Sequence, residues 1–144
     1  MTAETKGLLD TNIIILRDVV NPDELPDEFA ISSITLAELY AGIHNINDVA
    51  DIGIERAQRI EVLRRTELEF DPLPFDVAAA RKYGEVVAGV IGVGRKPRRR
   101  VADLMIAAVA AANGLDLYTT NPDDYAGLEG IVKVVPVTRP NATR

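Results

Sequence analysis

An α/β fold with a mostly parallel sheet layered between helices is the class this sequence predicts, on three observations. Short apolar runs ending in turn or cap residues alternate with stretches of helical periodicity. Parallel strands need crossover helices, so the alternation implies βαβ units with helices on both faces, a three-layer α/β/α sandwich. The chain has 144 residues, 47% of them hydrophobic. That suits one domain over residues 1–140 with a real core, followed by a frayed tail at 141–144.

The elements follow in order. Gly7–Asp10 (GLLD) predicts a short buried strand, with a helical turn over Thr11–Arg17. Asn21–Glu28 is rich in Pro, Asp and Glu and predicts a loop, before a second strand at Phe29–Ser32. A helix is expected from Thr35 to Asn45, with Leu36, Leu39, Tyr40 and Ile43 on its period and Thr35 and Glu38 in the pattern of a capping box. Asp51–Thr66 predicts a charged amphipathic helix with Ile54, Ala57, Ile60, Val62 and Leu63 near one side. Glu69–Leu73 predicts a third strand, shortened by Pro72 and Pro74.

Asp76 is expected to cap a helix running towards Val90, which Gly89, Gly92 and Gly94 weaken before a basic loop. Val101–Asn113 carries the strongest helical pattern. It is apolar nearly all round, as a buried helix is, and Asn113-Gly114 predicts its left-handed stop. Leu115–Thr119 and Val132–Val137 predict the last strands, joined by residues 121–130.

Several function classes are excluded or disfavoured. With no cysteine the chain has no disulfide framework, zinc–thiolate site or thiol nucleophile, and a reducing cytoplasm fits. The single histidine, His44, rules out multi-histidine zinc sites and makes a Ser-His-Asp triad a poor fit; a helix-surface place is expected for it. The polar start MTAETKG lacks a secretion signal, and the apolar runs at 86–94 and 104–115 are too short for a bilayer, which needs about 20 residues. A soluble protein with no membrane partner is expected. The net charge of -6 disfavours nucleic acid only globally. RKPRRR at 95–100 concentrates five of the sixteen Lys and Arg residues, and screening confines each charge to roughly 10 Å.

Four carboxylates stand where such a fold brings segment ends together. Asp10 ends the first strand, Glu38 and Asp103 lie early in helices, and Asp124 follows a strand in the turn NPDDY. Ligands of open parallel sheets bind at the carboxyl ends of strands. Clustered carboxylates repel, so a site built of them makes sense around a divalent cation. Each residue also has a plainer role: Asp10 as a helix cap, Glu38 in the capping box, Asp103 helped by the helix dipole in a first turn, and Asn121 and Asp124 in a surface turn. Asp103 argues hardest for function, being the only charge in an apolar helix, where an unpaired ionised carboxylate is costly. Arg95, Lys96, Arg98, Arg99 and Arg100 directly precede that helix, placed to grip a phosphate backbone, although charge runs are usually solvated. Tyr40 and Ile43 are expected in the core or a dimer contact.

These residues carry a family resemblance. LLDTN, ITLAELYAGI, VADLMIAAVAAANGLDLYTTNPDDY and a final strand, in that order from Leu8 to about Val137, resemble a PIN-domain ribonuclease. More narrowly, they are similar to the VapC toxins of bacterial VapBC toxin–antitoxin pairs. The resemblance implies a PIN-like sandwich with an acidic pocket for Mg²⁺ or Mn²⁺, in which Asp10, Glu38 and Asp103 match three acidic positions. Many relatives have Asp where this chain has Asn121, so Asp124 is the alternative fourth acid. Thr11 or Asn12 is expected to hydrogen-bond Asp10 or orient water. An RNA substrate, a homodimer and a VapB-type antitoxin are implied as partners. The expected activity is metal-dependent endoribonuclease action that inhibits growth. Two rivals stand beside it: a non-catalytic RNA- or partner-binding domain whose acidic pocket is structural, and a phosphoryl-acceptor domain using Asp10. The second lacks the Asp two residues after Asp10 and the later lysine that such domains use.

Overall fold

Alternation along two paired central strands sorts the core into two halves. The computed structural model describes residues 4–140, so the tail expected to fray at 141–144 lies outside the described residues. Strand β1 (Lys6–Leu9) pairs in parallel with β2 (Glu28–Ala30) on one side and β3 (Asp116–Thr119) on the other, and β4 (Val134–Pro136) adds to β3. The sheet order is β2-β1-β3-β4. Leu8 is opposite Leu117, and Leu9 opposite Tyr118. Because strand side chains alternate, Leu8 and Leu117 face one layer while Leu9 and Tyr118 face the other.

Five helices complete the layers: α1 (Thr11–Ile15), α2 (Ser33–His44), α3 (Ile52–Glu69), α4 (Val77–Gly92) and α5 (Val101–Ala112). Leu8 and Leu117 pack with Ala79, Val86 and Val90 of α4 and with Leu104 and Ile106–Ala110 of α5. Leu9 and Tyr118 pack with Ile13 and Ile14 of α1, Leu39 of α2 and Leu63 of α3. The result is the expected three-layer α/β/α sandwich. Short 3₁₀ turns at Pro22–Glu24, Pro97–Arg99 and Pro122–Tyr125 join elements, each opening on a proline whose missing N–H costs nothing there.

The expected cap at Asp76 and the left-handed stop at Gly114 are present, and Asp51 also caps, a role not anticipated for it. Asp51 and Asp76 accept from Ile54 and Ala79 N–H at 3.0 and 2.9 Å, and Gly114 takes φ +66° after α5. Four expectations need correction. Helix α2 begins one turn early: Ser32, not Thr35, is the cap, accepting from Ile34 N–H at 2.8 Å, so no capping box holds Glu38. The strand expected at Glu69–Leu73 shrinks to one bridge between Leu73 and Ser32, because α3 continues through Glu69. Ile54 and Ile60 of α3 face solvent, and its inner stripe is Val62, Leu63 and Thr66. Of the two places expected for Tyr40 and Ile43, Ile43 packs against the core, whereas Tyr40 is exposed and donates to Glu67 at 2.7 Å, which excludes only the core for it. His44 lies on the surface, as expected.

Two glycines permit a close approach. A Cβ on Gly89 of α4 would stand 2.5 Å from the carbonyl oxygen of Gly127, which itself has φ +97°. The loop after the Pro122–Tyr125 turn is thereby seated directly on α4.

Candidate active site

Asp10 follows β1 at the carboxyl edge of the sheet and is 3% exposed. One carboxylate oxygen caps α1 by accepting from Ile13 N–H at 3.1 Å; the other faces the Tyr125 hydroxyl at 3.5 Å. Capping and site membership therefore coexist in one side chain. Burial pushes its pKa up; hydrogen bonds from Thr119, Ile13 and Tyr125 pull the other way, and Glu38 adds to the rise.

Glu38 arrives from the second turn of α2, beyond the Ser32 cap. Thr11 donates its hydroxyl to Glu38 and meets Thr35 at 3.0 Å, so a chain of hydroxyls ties α1 to α2. Of the two expected helpers, Thr11 engages an acid of the site, and that acid is Glu38 instead of Asp10. Asn12 is exposed on α1.

Asp103 sits in the first turn of α5, and its carboxyl is pushed up to about 6. Desolvation is the largest cause, followed by the charges of Glu38, Asp124 and Asp10; Arg100 opposes them. Asp124 lies in the Pro122–Tyr125 turn and pairs with Arg100 at 3.2 Å. Buried Tyr125 registers all four acids. Its hydroxyl pKa is raised by burial first, then by Asp10, Asp103, Asp124 and Glu38. Asp10, Glu38 and Asp124, reaching in from the end of β1, from α2 and from the turn after β3, thus all lie close enough for their charges to raise Asp103, and they mark out a candidate acidic hollow at the carboxyl edge of the sheet. Asn121 turns elsewhere, accepting from Arg139 at 3.1 Å.

The basic loop closes one side. Arg95 donates to the carbonyl of Asp123, and a cavity of about 320 Å³ is lined by Arg95, Lys96, Arg99, Arg100, Leu104 and Asp124 among others. Arg98 is exposed beside it.

The donor set suits a hard cation. Every side chain that bears on Asp103 with negative charge offers carboxylate oxygen, the ligand a hard cation takes. No three acids of the described residues already form a ligand cluster. Mg²⁺ needs only one or two carboxylates, because it keeps several waters, so the donors present fit it. Thr35, Thr119 and Tyr125 escape a reading of the sequence. Only the β1–β3 register brings Thr119 beside Asp10, and only the fold buries Tyr125 against it.

Comparison with known proteins gives consistent results. The model of the family described as PIN domain matches residues 7–129. Ribonuclease VapC5 of Mycobacterium tuberculosis is 37% identical over 136 residues, covering 92% of this chain and 95% of the relative. Ribonuclease VapC8 of the same species is 30% identical over 105 residues, 72% of this chain and 89% of the relative. Among solved structures, VapBC-5 from Mycobacterium tuberculosis, a member of the VapBC family of toxin–antitoxin systems, superposes with a TM-score of 0.76 at 35% identity over 92% of this chain and 99% of that one. VapBC-1 from nontypeable Haemophilus influenzae shares the fold, with a TM-score of 0.68 at 23% identity over 92% of this chain and 98% of that one.

Proposed function

The chain belongs to the PIN-domain family, in its VapC group, and from that premise we propose that it is a metal-dependent endoribonuclease, the toxin of a toxin–antitoxin pair. One observation carries the reading. Asp103, half-buried in an apolar helix, is loaded by three further carboxylates, an arrangement that a divalent cation relieves. When bound, Mg²⁺ or Mn²⁺ supplies charge neutralisation at a phosphate and a more acidic water.

The chain's own residues do the rest. Asp10 and Asp103 hold the cation. Glu38, fixed by Thr11, and Asp124 hold a second ion or orient the attacking water. Tyr125 and Thr119 steady Asp10 by hydrogen bonds. Arg95, Lys96, Arg98, Arg99 and Arg100 grip the RNA backbone and set the scissile phosphate against the acids. A VapB-type antitoxin partner is supported by the solved relative being a toxin–antitoxin system, and we assign a homodimer acting in the cytoplasm.

Mapping 5′ ends of cellular RNA after brief expression tests the reading. New discrete ends are expected with the wild-type chain, and with Asp10→Asn cleavage falls by at least about a hundredfold, the loss typical of one essential electrostatic group. Identical end maps for the two would sink it. The absence of a preformed three-acid cluster among the described residues favours a second reading, a binding domain that blocks its target without cutting. Growth arrest that survives loss of both Asp10 and Asp103 would establish that version.

A further inference from the structure

Arg100 belongs to two neighbourhoods at once. Its guanidinium lies 3.2 Å from Asp124, and it lines the cavity shared with Arg95, Lys96 and Arg99. Its side chain is 53% exposed and that of Asp124 is 24% exposed, so the pair is open to solvent on one side. Ion pairs of this kind are weak and exchange easily. A phosphodiester is a strong competitor, because the guanidinium fork matches two of its oxygens. The cavity already holds three other cationic side chains and is roomy enough for such a group.

We propose that the cavity is a subsite for one backbone phosphate of the RNA, and that Arg100 is a shared counter-ion which Asp124 holds in the free protein and the phosphate draws away. The inference rests on the nuclease reading above. Freed of Arg100, Asp124 faces Asp10, Glu38 and Asp103 with its full charge and strengthens the hold of the hollow on a cation. Arg95 couples the two movements, since it donates to the carbonyl of Asp123, next to Asp124 in the same turn. RNA and metal therefore favour each other's binding, and the coupling is reciprocal.

Two measurements on the full chain test this. Calorimetric titration with Mn²⁺ alone compares Arg100→Gln with Arg99→Gln, which removes the same charge from the same loop without touching the pair. Arg100→Gln is expected to tighten Mn²⁺ binding by about two- to fivefold beyond Arg99→Gln, the worth of an exposed ion pair. In an Asp124→Asn background that excess disappears. The second measurement is binding of a fluorescein-labelled twelve-nucleotide polyuridylate without divalent ions. Asp124→Asn should bind it more tightly than Asp123→Asn, and adding Arg100→Gln should abolish the gain. Equal effects of Arg100→Gln and Arg99→Gln, or of Asp124→Asn and Asp123→Asn, overturn the shared counter-ion. If wild type still binds Mn²⁺ in that case, the nuclease reading stands; if no variant binds Mn²⁺, both fall.

Discussion

At the scale of single residues, Asp103 is where stability and the proposed function oppose each other. Its carboxyl holds its proton to about 6 in the folded protein, against an ordinary 3.8. Between those values the folded state binds a proton that the unfolded chain has released, so this group's contribution to stability falls as pH rises through that window. Without divalent ions the protein should be more resistant to urea at pH 5 than at pH 7. Asp103→Asn should flatten that difference and stabilise the metal-free protein at pH 7 by about 1 kcal/mol, a figure discounted for the solvent reaching the site. A variant no more stable than wild type at pH 7 would show that the neighbouring charges do not load this residue. The sequence revealed Asp103 because one charge in an apolar helix has few places to go. It concealed Tyr125, which looks like an ordinary turn residue until burial makes its hydroxyl matter.

Elements were legible where periodicity and caps agreed. Helix α5 and the cap Asp76 came from pattern alone, because a nearly all-apolar run between a basic loop and Asn-Gly has one sensible reading. Disagreement arose where two cap residues compete: Ser32 wins over Thr35, since β2 ends early enough for the chain to turn there. The inner stripe of α3 was misread because Ile54 and Ile60 are apolar yet exposed, and only contact with α2 decides which side turns in. The Gly89–Gly127 approach is likewise invisible to local pattern. It yields a test: Gly89→Ala should cost about 1–3 kcal/mol in urea unfolding despite the better helix propensity of Ala, because the new methyl meets backbone that cannot yield cheaply. A gain in stability would mean that α4 and the loop are not seated as described.

For the whole molecule, the class of fold was readable and the four acids could be nominated, but how near their charges come to one another was not readable, since it depends on strand order. Alternation of strands and helices is compatible with several orders; the observed β2-β1-β3-β4 makes β1 and β3 neighbours and so sets their ends side by side. A cation that binds only the folded state stabilises it by mass action. Mn²⁺ at a hundred times its dissociation constant should therefore raise the stability of the wild-type chain by about 2.7 kcal/mol and leave Asp10→Asn nearly unmoved. Equal melting shifts for both would place the ion elsewhere.

The central position of β1 also bears on how a cell could make this chain safely. Gly7 pairs with Asp116, so the first strand waits for one of the last to be synthesised. A nascent polypeptide leaving the ribosome exposes Asp10 and Glu38 long before Asp103 and Asp124 exist. On the proposed reading, which needs acids from both halves of the chain, each growing copy stays inert until its own translation is nearly finished.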